Sequence, residues 1–171
     1  YAHWFWDAAL YQTEIDNLIS WQMGGTTTNI PTTRIRGVEL SAGAQLADWT
    51  LAAAATYTDP ENRETGKRLQ RRATQSLRFD VDRELGDWSL GGSWVVQNHR
   101  YDDADNQDRL GGFGLVNLRA GWSFAPMWSV RATLENALDK EVVTAQGSEF
   151  DPGAGAFVPF DYLNAGRAAF V

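Results

Sequence analysis

Ala47-Asp48-Trp49-Thr50-Leu51, Gly86-Asp87-Trp88-Ser89-Leu90 and Pro126-Met127-Trp128-Ser129-Val130 repeat one arrangement. In each, a short polar or proline-containing link is followed by a tryptophan that opens an alternating stretch. The three tryptophans are spaced by 39 and 40 residues. A soluble core gives no reason to put its largest amphipathic ring at the same point of every hairpin. A membrane interface does, because the indole is wet at one end and apolar at the other. The spacing predicts a β-barrel that crosses a bilayer.

The flanking sequence carries the same message. Trp49, Leu51, Ala53, Ala55 and Tyr57 alternate with Thr50, Ala52, Ala54, Thr56 and Thr58. Val116, Leu118, Ala120, Trp122 and Phe124 alternate with Asn117, Arg119, Gly121 and Ser123. Trp128, Val130, Ala132 and Leu134 oppose Ser129, Arg131, Thr133 and Glu135. Period two is the mark of a strand with one apolar face. It predicts eight strands, over residues 3–22, 27–46, 49–58, 70–84, 88–100, 112–125, 128–146 and 159–171. The connections near Ala47, Asp87 and Pro126 are short. Those near Gly24–Thr28, Asp59–Leu69, Tyr101–Gly111 and Gln146–Pro159 are longer and rich in Gly, Asp, Asn and Thr. Short turns on one rim and long loops on the other are the habit of outer-membrane barrels. Trp49, Trp88, Trp122 and Trp128 are therefore expected to form the girdle at the short-turn rim. The expected fold is all-β, an antiparallel up-and-down segment of a transmembrane barrel.

Composition narrows the function classes. The 171 residues carry a net charge of −7 with a pI near 4.7, which argues against nucleic-acid binding, since that requires a basic face. No apolar run reaches the roughly 18 residues of a spanning helix, but membrane strands need apolar residues only at alternate positions. A mean hydropathy of −0.39 is therefore compatible with a membrane barrel. The absence of cysteine removes disulfide frameworks, zinc-thiolate sites and thiol nucleophiles. The polar face carries Glu39, Arg78, Asp80, Arg119, Arg131 and Glu135, with the acids expected to pair with the arginines. These charges and the small residues Ala52 and Ala54 favour a wide barrel, because the interior of an eight-stranded one is just filled by side chains. Arg34 and Arg36 disturb the pattern, since they share the phase of Val38, Leu40, Ala42 and Ala44. They require either a position above the hydrocarbon or a bulge that shifts the register.

Five segments together resemble a known family. Tyr11-Gln12-Thr13-Glu14-Ile15-Asp16-Asn17-Leu18-Ile19 resembles the "ID-x-LI" segment in late barrel strands of TonB-dependent receptors. Arg34-Ile35-Arg36-Gly37-Val38-Glu39 is similar to their "ARIxGVE" strand, and Leu69-Gln70-Arg71-Arg72-Ala73 to "LxRRA/P". Glu135-Asn136-Ala137-Leu138-Asp139-Lys140-Glu141 resembles "ENLFDKxY", and Asn164-Ala165-Gly166-Arg167 resembles "xPGR". The motifs occur in the family's order, with the nearest likeness to its cobalamin and siderophore receptors. Proline is missing from the last motif, and Val142 stands where tyrosine is usual.

The resemblance implies the C-terminal part of a barrel of about twenty-two strands, over residues 1–171, with the plug domain and earlier strands outside this stretch. It also implies a bacterial outer-membrane location. The implied partners are outer-membrane lipid, the remaining strands and plug, the TonB complex through that plug, and a small-molecule ligand such as cobalamin or a ferric siderophore. The alternative is a complete eight-stranded barrel with a structural or adhesion role. A soluble β-sandwich fits less well, since its aromatics would not recur at every short turn.

Candidate sites follow from the loops. Arg71 and Arg72 open a strand at the outer rim, and guanidinium forks grip phosphate and carboxylate. His99, Arg100 and Tyr101 are expected near the ligand mouth. Asp102, Asp103, Asp105 and Asp108 crowd one loop, and hard cations take several oxygens from one loop. The loop lacks the glycine and final glutamate of an EF-hand, so calcium stands beside the plainer reading of a solvated loop. His3 and His99 are the only histidines and form no ligand constellation. No nucleophile elbow or phosphate loop points to an enzyme, and no other cofactor is expected.

Overall fold

The computed structural model describes residues 3–22 and 26–171. Eight strands form one antiparallel sheet, each paired with its neighbour along the chain. In order across the sheet they are β1 (His3–Gln22), β2 (Thr26–Leu46), β3 (Trp49–Asn62), β4 (Gln75–Leu85), β5 (Trp88–Gln97), β8 (Phe113–Ala125), β9 (Trp128–Glu135) and β12 (Ala168–Phe170). Two small hairpins interrupt this meander. They are β6 (Arg100–Tyr101) with β7 (Arg109–Leu110), and β10 (Val143–Asp151) with β11 (Ala156–Leu163). Among the described residues there is no helix, and β1 and β12 are edges that do not bond to each other.

The short turns join the strands tightly. Ala47 and Gly86 take positive φ angles of 54° and 63°, the left-handed conformation that a two-residue hairpin link demands. Glycine adopts it freely, whereas alanine meets a small steric penalty. The turns are also tied sideways. The Glu84 N–H donates to the Asp48 carbonyl at 2.9 Å, and the Ser123 N–H donates to the Asp87 carbonyl at 2.8 Å.

The register gives the sheet two faces of opposite character. Trp6, Ala42, Ala53, Phe79, Trp94 and Val116 are successive cross-strand partners and so share one face. Thr50, Asp82, Gly91, Arg119 and Thr133 form a row on the other. The aromatic and aliphatic face stays open, with Leu10 81% and Trp128 67% exposed. Covering such side chains yields about 1.5–3 kcal/mol each, and the sheet by itself gains none of it there.

Five segments differ from their expected spans, among them 88–100, which ends as β5 at Gln97 while Arg100 joins the β6–β7 hairpin. β3 continues past Thr58 to Asn62, because Asp59 and Glu61 lie opposite Arg36 and Arg34. The register through Arg34 and Arg36 is continuous, so no bulge turns them away. Both arginines share the apolar face, above its apolar band. There Arg36 grips Asp59 through Nε at 3.0 Å and Nη2 at 2.9 Å, and Arg34 bonds Glu61. β4 begins at Gln75 rather than residue 70, since Arg71 turns the chain with a φ of 56°. The predicted strand 128–146 breaks at Asn136, which has a φ of 48° and bonds both backbone groups of Lys140. The chain beyond it forms β10 and β11, and only Ala168–Phe170 of the predicted 159–171 returns to the sheet. The expected connection near Gly24–Thr28 lies partly outside the described residues, and Thr26–Thr28 belong to β2.

Gly37 shows how tightly the polar face is fitted. A Cβ there would stand 2.5 Å from the Tyr57 carbonyl oxygen and 2.7 Å from the Tyr11 hydroxyl. Gly37→Ala is therefore expected to lower stability by about 1–3 kcal/mol through overpacking against backbone. Gly111→Ala, with open space around it, should change stability by no more than about 0.5 kcal/mol. Urea-unfolding curves of the two variant proteins check the contrast.

Candidate functional site

The long connections gather at one end of the sheet, and most of the buried side chains described in the chain lie there. Leu69, Leu110 and Val142 form its small apolar core, one from each of three connections. The β6–β7 hairpin is the hub. The Arg71 N–H donates to the Tyr101 carbonyl at 2.7 Å, and the Arg71 Nε donates to the Asp102 carboxylate at 2.6 Å. That carboxylate, 3% exposed, also accepts the Gln146 N–H at 3.0 Å. Arg100 reaches the same segment and donates from Nη2 to the Val143 and Thr144 carbonyls at 2.9 and 3.2 Å. Asn106 pairs with both backbone groups of Arg68, and Lys67 meets Asp105 at 2.6 Å. Three separate loops are thus fastened into one layer.

The acidic loop is organised around these internal partners. Asp102 serves Arg71 and Gln146, and Asp105 serves Lys67. Asp103 accepts the N–H groups of Asp105, Gln107 and Asp108 and so shapes the turn, while Asp108 gives its carbonyl to the Asp102 N–H. Burial opposes the Asp103 charge, but the N–H groups of Asp108 and Gln107 outweigh it and hold the carboxyl below its usual range. Among the described residues no three carboxylates or imidazoles are grouped to share a metal ion. His99 meets Tyr101 edge-on at 5.8 Å, and burial, then the Arg109 and Arg68 cations, push its pKa below the ordinary value. His3 lies at the opposite, short-turn end, opposite Gln45.

Of the expected mouth residues, Arg71 and Arg72 come together on an open groove of about 350 Å³. Tyr11, Ile35, Thr58, Ala73, Ser76 and Gln97 complete its lining. His99, Arg100 and Tyr101 are not part of it; Arg100 is buried with its guanidinium over the Phe113 ring at 5.8 Å. Tyr11, Thr58, Ser76 and Gln97 are not singled out by sequence. Their signal is parity, since Tyr11, Gly37 and Thr58 share one polar-face row, as do Ser76 and Gln97.

Nearer the short turns the polar face carries an ion network. Arg78 bonds Asp80 at 2.6 Å, and Arg119 reaches Asp80 at 3.6 Å and Asp82 at 2.6 Å. Asp80 therefore pairs as expected, but the second acid is Asp82. Glu39, Arg131 and Glu135 form no ion pair among the described residues. Arg119 can cross β5 to Asp82 because Gly91 lies between them; a Cβ there would fall 2.1 Å from the carboxylate.

The aromatic girdle is assembled at the short turns. Trp88 stacks on Trp122 at 5.1 Å with an interplanar angle of 6°, and Phe124 adjoins Trp122 at 5.3 Å. The Arg83 guanidinium lies 4.9 Å from the Trp49 ring and bonds Asp48 at 2.7 Å, which holds that half-buried carboxyl below its usual range. Trp128 opens β9 on the same face.

Asp102 carries the testable consequence. Asp102→Asn keeps the shape but removes the charge that Arg71 and Gln146 share. The expected loss is about 1–3 kcal/mol of local stability. Amide hydrogen exchange should quicken both at 69–72 and at 143–147, two segments that this residue's loop joins.

Comparison with known proteins completes the assignment. The vitamin B12 transporter BtuB of Photobacterium profundum is 29% identical over 149 residues, covering 82% of this chain and 25% of BtuB. The copper transporter OprC superposes with a TM-score of 0.77 at 25% identity, over 97% of this chain and 27% of OprC. The ferric yersiniabactin uptake receptor FyuA from Yersinia pestis gives a TM-score of 0.77 at 18% identity, over 97% and 26% of the two chains. The chain spans about a quarter of the length of these relatives. The family described as "TonB dependent receptor-like, beta-barrel" matches residues 2–137, most of the meander from β1 to β9. A two-faced, all-antiparallel sheet with tryptophans at its short turns is thus the barrel wall that this match describes, and the chain belongs to the TonB-dependent receptor β-barrel family.

Proposed function

We propose that the chain is the C-terminal part of the barrel wall of an outer-membrane TonB-dependent receptor, which takes up a scarce small-molecule ligand such as cobalamin or a ferric siderophore. The observation that carries this reading is the register, which sorts a band of apolar side chains onto one face and charged ones onto the other across the seven strands from β1 to β9 of the main sheet. The apolar face meets lipid and the polar face meets water or a plug domain. Trp49 to Tyr57 makes eight residue steps along β3, about 27 Å along the strand and about 21 Å across a bilayer at a 40° tilt. That approaches the roughly 25 Å apolar band of such barrels. The Trp girdle then sits at the periplasmic rim, and the Arg36–Asp59 and Arg34–Glu61 pairs stand at the opposite end, among headgroups.

The remaining strands of the receptor cover the edges at β1 and β12. The fastened loops form part of the ligand's mouth, where Arg71 and Arg72 line the entry groove. Energy arrives from the TonB complex through the plug. A complete eight-stranded barrel would need β1 and β12 to pair, and the sheet keeps them apart. The work assigned to these residues is binding and passage rather than bond chemistry.

The lipid-facing assignment is tested by charge. Phe79→Lys is expected to cost about 2–4 kcal/mol of folding free energy at the bilayer midplane. Thr56→Lys, on the polar face opposite Glu39, should be tolerated. Heat-modifiable electrophoretic mobility in the outer-membrane fraction reads both variants. Equal yields of folded receptor would defeat the orientation.

A further inference from the structure

The groove at the long-loop end of the polar face, placed above at the ligand's entry, has a chemistry that specifies what enters. Its lining contains two arginines, three hydroxyl side chains and one amide, and no carboxylate. This stands out in a chain with a net charge of −7. The two arginines differ. Arg71 is committed, its guanidinium on Asp102 and its N–H on the Tyr101 carbonyl. Among the described residues no ion pair or hydrogen bond is formed by the Arg72 side chain, which is exposed. The fixed backbone at Arg71 therefore presents the next residue as an unpaired cation over the groove.

Around it stand donors set by the strand register. Tyr11 lies across Gly37, whose missing side chain leaves room for the hydroxyl, and Thr58 follows in the same row. Ser76 and Gln97 are direct partners on the next two strands. A guanidinium with hydroxyl and amide donors suits an oxyanion, and the nearest acid in the Ser76–Gln97 row, Glu39, lies two strands away from Ser76 and outside the lining. All four donors belong to the polar face, opposite the Trp6–Phe79–Trp94 row. A lipid headgroup reaches the apolar face; a solute reaches this one.

We propose that this groove binds the carboxylate or phosphate group of an anionic solute ligand, with Arg72 as the principal contact and Tyr11, Thr58, Ser76 and Gln97 as hydrogen-bond donors. The proposal rests on the receptor reading above and specifies the ligand's charge. The intact receptor carrying this chain, purified in neutral detergent, is titrated calorimetrically with citrate and, separately, with inorganic phosphate. Saturable binding is expected, weakened about tenfold or more in Arg72→Gln and by a smaller factor in Tyr11→Phe. Added salt should weaken it further. Arg131→Gln, at the other end of the polar face, should leave it unchanged, and phosphatidylglycerol in mixed micelles should not compete. Equal affinity in wild type and Arg72→Gln, or no saturable binding of either anion, overturns the proposal. Competition by the lipid overturns the solute assignment. Heat-modifiable mobility of the same preparations separates the two ideas. A folded outer-membrane barrel that ignores both anions defeats the anion site alone, and a protein absent from the outer membrane defeats the receptor reading.

Discussion

The hydrogen-bonded register of the eight-stranded sheet decides both faces at once, because successive side chains point to opposite sides and partners across strands share a side. The rows that result need no enclosed core. Trp6, Ala42, Ala53, Phe79 and Trp94 line up on one side, and Asp82 and Arg119 meet on the other. Side-chain burial is instead concentrated where the ladder gives way to loops, around Leu69, Leu110 and Val142. The molecule therefore divides its stabilisation. Backbone pairing serves the sheet, whose apolar side chains stay exposed, and packing with buried polar contacts serves the rim.

The meander is legible in the sequence because one apolar face makes alternation visible. Trp49 to Tyr57 and Trp128 to Leu134 read as strands for that reason, and the short turns before them read from Ala47, Gly86 and Pro126. Legibility ends where that contrast ends. Asp59-Pro60-Glu61 looks like a loop by composition, yet it continues β3 because Arg36 and Arg34 wait across the ladder. The stop at Asn136 depends on a positive φ and on its side-chain bonds to Lys140. Neither leaves a mark on hydropathy. The same holds at the rim, where Arg100, expected at the mouth, turns inward to the Val143 and Thr144 carbonyls.

The motifs that carry the family resemblance prove to be meeting points. Tyr11, from the first, lies over Gly37, from the second. Arg71, from the third, holds Asp102 in the loop whose carboxylates suggest calcium. Asp139, from the fourth, accepts the backbone N–H of Arg167, from the fifth, at 2.8 Å. Short motifs far apart along the chain are individually weak because each is half of a contact. Their order is informative because the meander brings the halves together.

The bridge from Arg119 over Gly91 to Asp82 bears on a kind of error that alternation cannot correct. Sliding a strand by one residue exchanges its faces and is strongly opposed, but sliding by two restores every apolar side chain to the apolar side. If β5 moved by two positions between its neighbours, Ser89 or Ser93 would take the place of Gly91 beneath the guanidinium. The gap would close, and the two charges would lose their route to each other. A single absent side chain thus acts as a vernier mark, distinguishing the correct alignment of three strands from alignments that hydrophobicity would accept.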